Sequence, residues 1–73
     1  MSNAKFTYYA WASNDQGASI DVAQKQRFSS LRATENAARA ELGSGWTVHI
    51  IGIQHDGHDG WFEPKEIKTF RIR

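Results

Sequence analysis

Large apolar side chains recur at every second residue along most of this chain, and at a helical spacing in only one segment. In Phe6-Thr7-Tyr8-Tyr9-Ala10-Trp11, and again in Trp46-Thr47-Val48-His49-Ile50-Ile51-Gly52-Ile53, bulky apolar groups fall on both sides of the alternation. A strand points successive side chains to opposite faces, so each run places apolar surface on both faces of a sheet. Lys5 to Ala12 therefore reads as a strand rich in Tyr, Phe, Thr and Trp. Asn14-Asp15-Gln16-Gly17 is a turn, because Asn and Asp bond to their own backbone and Gly accepts positive φ. Ala18 to about Arg27 is the return strand, with Ile20 and Val22 alternating against Asp21.

Leu31 to Leu42 is the helical segment, rich in Ala, Glu, Arg and Leu. Ser29 or Ser30 can cap a helix starting near Leu31, Thr34 a shorter one, and Gly43 can terminate it. Alanines at 37, 38 and 40 let the helix lie close on a sheet. Trp46 to about Gln54 is the third strand, and Lys65 to Arg73 the fourth. Residues 54–64 read as one long loop or arm, polar and glycine-punctuated, with a Pro64 that suits no central strand. The expected fold is α+β: a single ββαββ domain over residues 5–73, with a four-stranded antiparallel sheet and one helix on one face. Residues 1–4 read as a tail outside the fold, in which Ser2-Asn3-Ala4 resembles a tag-cleavage scar and Met1 ahead of it equally fits a native start.

Register decides which side chains share a face. A two- or four-residue loop in the first hairpin pairs Trp11 with Ile20 and Tyr9 with Val22. A three-residue loop instead sets Trp11 opposite Asp21. The first register is expected, since it gathers four large apolar groups on one face. It assigns Trp11, Ile20, Leu42, Trp46, Val48, Ile50, Phe70 and Ile72 to the helix side. The helix-free face then carries Phe6, Tyr8, Ile51, Ile53 and Ile67, rimmed by Lys25, Arg27, His49 and Arg71. One helix covers one face only, and a large contiguous apolar patch left over marks an interaction surface.

At 73 residues the core is small. With no cysteine, disulfides and thiolate metal sites are excluded, and three Trp, two Tyr and four Phe are the available compensation. A balance of nine Lys and Arg against eight Asp and Glu gives +1, which argues neither for nucleic acid nor for an acidic mimic of it. No apolar run approaches the roughly 20 residues of a membrane helix. Absent cysteine and a membrane span, a cytoplasmic location is expected.

Candidate chemistry is sparse. His55-Asp56-Gly57-His58-Asp59 gathers imidazoles and carboxylates, but its spacing fits no closed metal site, so neither metal nor cofactor is expected. Ser29 and Ser30 sit where a helix cap is needed, and Gly43-Ser44-Gly45 follows a helix instead of opening one, unlike a phosphate loop. No enzyme is expected. Trp61 and Phe62, aromatic in a polar loop, are a candidate binding hot spot. The expected function is a small non-enzymatic protein-protein interaction module using the helix-free face, with itself as a homodimer or another protein as partner. The alternative partner is single-stranded nucleic acid, with Phe6 and Tyr8 stacking on bases and the Lys/Arg rim following phosphates. The two-hairpin-plus-helix plan is similar to that of many small phage or mobile-element proteins, some anti-CRISPR inhibitors among them, a likeness of plan without a shared motif.

Overall fold

The computed structural model describes residues 5–55 and 64–73. Its strands are β1 (Lys5–Asn14), β2 (Ser19–Asp21), β3 (Trp46–His55) and β4 (Lys65–Arg71), with one helix, α1 (Leu31–Glu41), between β2 and β3. They form one antiparallel sheet in the order β2-β1-β3-β4, and α1 packs on one face of it. The expected α+β, ββαββ plan is the observed one.

Ser30 caps α1: its hydroxyl accepts the Ala33 N–H at 3.1 Å, satisfying one of the donors that a helix start leaves without a partner. The buried Thr34 returns its own hydroxyl to the Ser30 carbonyl at 2.8 Å. At the other end Leu42 is already extended, and the positive φ falls on Gly45 (95°) instead of Gly43. The last strand registers as expected as far as Ile50, with Val48 opposite Phe70 and the Ile72 N–H donating to the Trp46 carbonyl at 2.9 Å, and shifts by one residue beyond it.

The first hairpin does not follow the expected register. Trp11 stands opposite Asp21, Ala12 opposite Ile20 and Ser13 opposite Ser19, one residue away from the expected pairing. The faces of β1 are therefore exchanged. Ala10 and Ala12 are buried beneath α1 with Val22, Ala38, Leu42, Val48, Ile50 and Ile72, while Tyr9 and Trp11 point to the helix-free side. Trp11 is thus not a core residue, and Ile20, though on the helix side, is 38% exposed. Side-chain size explains the exchange. A helix presenting Thr34 and Ala38 lies close on the sheet, and the strand beneath must then offer small groups, because interiors close-pack and tolerate little excess volume.

The return strand is also shorter than expected. After Asp21 the chain enters a tight turn in which Ala23, Gln24 and Lys25 all have positive φ (50°, 57° and 65°). Each such non-glycine residue costs roughly 1–2 kcal/mol. The turn seats Val22 in the core, and Glu41 at the end of α1 accepts the Ala23 N–H at 2.9 Å. Past it, Phe28 forms an isolated antiparallel bridge with Tyr8, closed by two backbone bonds of 2.8 and 2.9 Å.

Candidate functional site

The helix-free face is built from every second residue of β1 and β3 and their partners. Across the strands, Asp21, Trp11, His49 and Thr69 form one row. Ser19, Ser13, Thr47 and Arg71 form the row on one side of it. Tyr9, Ile51 and Glu66 form the row on the other, and Thr7 with Ile53 lies beyond. No described element packs over Tyr9, Trp11, His49 and Ile51.

At the centre, the rings of Trp11 and His49 are parallel within 14°, with centroids 4.1 Å apart. The two residues are direct cross-strand partners, so the common ring normal runs across the strands and both rings stand on edge. Asp21 flanks Trp11 on one side and Thr69 flanks His49 on the other. The ring faces thus look at neighbours, and the ring edges look outward.

His49 is held from both sides. Its Nδ1 lies 2.7 Å from Glu66 Oε1 and its Nε2 lies 3.2 Å from Ser13 Oγ. Thr69 donates its hydroxyl to the same Glu66 oxygen at 2.7 Å. The Thr69 bond first, and the His49 bond second, hold the Glu66 carboxyl below the usual carboxylate range. An ionised carboxylate only accepts, so Nδ1 carries the proton toward Glu66 and Nε2 is left to accept from Ser13 in neutral imidazole. The resulting chain, Ser13 to His49 to Glu66, runs diagonally over β1, β3 and β4, in the order of a nucleophile, a base and an orienting acid. Among the described residues, no oxyanion site accompanies it. Ser13 lies on a central strand paired on both sides, so no loop of free amides surrounds its hydroxyl to receive an oxyanion.

The residues predicted to bind are divided by the structure. His49, Ile51, Ile53 and Arg71 share the helix-free face, with Ile53 buried and Arg71 bonded to Asp15 at 2.8 Å. Phe6, Tyr8 and Ile67 lie instead on the helix side, beyond the reach of α1. The Phe6 and Tyr8 rings stack there at 6.2 Å, and Tyr8 packs against the core. Ile67 is the extra residue of a bulge, since Ile50 pairs with Lys68 and Ile51 with Glu66. The bulge turns Ile67 over Gly52, where a Cβ would stand 2.7 Å from Ile67 Cγ1. Lys25 and Arg27 are exposed on the segment between β2 and α1, with Arg27 next to the Phe28 that bridges to Tyr8. Trp61, Phe62 and the His58 and Asp59 region lie outside the described residues.

Sequence reasoning placed Thr69 on this face and missed Tyr9, Trp11, Ser13 and Glu66. Ser13 and Glu66 lie 36 and 17 residues from His49, so no local motif joins them. The three-residue-loop register, which sets Trp11 opposite Asp21, was the one available signal. No family model, no curated protein and no solved structure matches this chain.

Proposed function

We propose that the protein is a small non-enzymatic interaction module that docks through its helix-free sheet face, with a second copy of itself as the partner. The observation that carries this reading is the contiguous block of Tyr9, Trp11, His49 and Ile51 on a face that no described element covers. Trp and Tyr supply large contact area with few rotatable bonds, and they dominate binding energy at interfaces. The competing sheet edge is guarded: β4 carries Lys65, Glu66, Lys68 and Arg71 and is bent by the bulge at Ile67.

The nucleic-acid alternative loses its expected platform, because Phe6 and Tyr8 are on the helix side. The Trp11 and His49 rings stack on each other and leave their edges outward, whereas bases stack on ring faces. Asp21 and Glu66 add carboxylates where phosphates would lie.

The test is Ile51→Asp with solution mass measured over a range of concentrations. The variant should keep its fold and lose self-association, since an unpaired carboxylate would be buried in the interface. Ile50→Asp, at a fully buried neighbour, should instead unfold the chain. A wild-type chain that is monomeric at every concentration and binds no protein partner overturns the reading.

A further inference from the structure

The hydrogen-bond chain on this face carries chemistry that docking does not use. We propose that Ser13 is a base-activated acyl acceptor, a modification site that takes an acyl group from an activated ester or a thioester and retains it.

Four independent features converge on the Ser13 hydroxyl. The ring nitrogen that must take its proton is 3.2 Å away. The other ring nitrogen is held at 2.7 Å by a carboxylate, which fixes the tautomer and stabilises the imidazolium once formed. That carboxylate is itself fixed by Thr69 at 2.7 Å, so it does not swing away from the ring. Trp11, stacked at 4.1 Å, fixes the ring plane. Both Ser13 and His49 are half-buried on an uncovered face, so a donor approaches from solvent without opening the fold.

In the step itself, the Ser13 O–H proton passes to Nε2 as Oγ bonds to the carbonyl carbon of the donor. The tetrahedral adduct collapses, the bond from carbon to the leaving oxygen or sulfur breaks, and the leaving group departs with that electron pair. The imidazolium returns its proton to a thiolate leaving group or to water. The product is an ordinary alkyl ester on Ser13. Its hydrolysis would expel a poor leaving group with no oxyanion cradle to assist, so the acyl group persists and the site turns over slowly. Ser13 and His49 act on the reacting atoms, whereas Glu66 is a positioning residue. Docking through the same face would cover Ser13, so acylation is scored on the free chain, at concentrations below self-association.

The experiment treats the full-length protein with p-nitrophenyl acetate and maps the acetyl groups by peptide mass spectrometry. Peptide mapping separates Ser13 from tyrosine and lysine labelling, and hydroxylamine, which removes acetyl from oxygen esters and not from lysine amides, identifies the product as an ester. Ser19, on the same face but with no imidazole bonded to it, is the internal control. Ser13 should be acetylated at least about 100-fold faster than Ser19, the low end of the roughly 10²–10⁴-fold that a positioned base supplies. Ser13→Ala should remove the hydroxylamine-sensitive acetyl. His49→Gln should reduce labelling at Ser13 to the Ser19 rate and abolish its pH dependence, with an unchanged circular dichroism spectrum confirming the fold. Glu66→Gln should slow labelling and shift its pH profile, and Glu66→Asp should restore part of the rate. Equal rates at Ser13 and Ser19 would overturn the proposal, as would undiminished Ser13 labelling in a folded His49→Gln chain. If His49→Gln unfolds, the Ser13 to Ser19 ratio in the wild-type chain decides alone.

Discussion

At the residue scale, one imidazole organises the helix-free face and one glycine permits the packing on the other. Glu66 is ionised below the usual carboxylate range because Thr69 and then His49 bond to its charged form. A carboxyl depressed in the folded state adds stability above its unfolded pKa, and that contribution is lost as pH falls through the lower, folded value. Acidification from neutral should therefore lower the melting temperature, and Thr69→Val should flatten that acid-side fall; a melting series against pH on both proteins checks it. Gly52 is the second case. An added methyl would sit 2.7 Å from Ile67 Cγ1 and 3.5 Å from the Tyr8 ring, closer to Ile67 than packed atoms approach. Gly52→Ala should cost about 1–3 kcal/mol, the usual penalty of overpacking, and Ile67→Ala should recover much of it in a double-mutant cycle measured by denaturant unfolding. Neither effect could be read from the sequence, because each depends on two strands brought together at a specific register.

At the scale of elements, the helix and both strand pairings were legible, and the register of the first hairpin and the bulge in β4 were not. Ser30, the alanine-rich run and the alternation of Val48, Ile50, Phe70 and Ile72 each point to one answer, and local and global preferences agree there. In β1 the pattern is apolar on both faces, so hydrophobicity alone cannot choose between Tyr9 with Trp11 and Ala10 with Ala12. Volume chooses: the small side wins the place under α1. The backbone of residues 23–25 then absorbs the difference in length, since three positive-φ residues replace the extended return strand. Ala10→Leu tests the volume argument. It keeps the hydrophobic pattern yet should destabilise by at least about 1–3 kcal/mol, because the helix must lift off the sheet. A variant as stable as wild type in denaturant would show that α1 is not in tight contact with β1.

At the scale of the whole molecule, a sheet face without a helix was legible, and what it binds was not. The excess of apolar strand residues pointed to one face left over after the helix was placed, and that inference survives the exchange of residues between faces. The membership of the face was not legible, because a one-residue slip moves every side chain of a strand to the other side. Salt tests the molecule as a unit. Association through Trp11, Tyr9 and Ile51 should hold or strengthen as salt rises, whereas binding to phosphates would weaken steeply; sedimentation at low and high salt, with and without a short oligonucleotide, separates the two. The guarded strand edge has a further consequence, for stoichiometry. A molecule with two adhesive surfaces can add copies without limit, but β4 is closed to lateral pairing by its charges and bulge, and Phe28 occupies the edge of β1 at Tyr8. On the proposed docking reading, the helix-free face is used up when two chains meet. Growth ends there, so concentrated solutions should plateau at a fixed particle mass and not thicken into filaments.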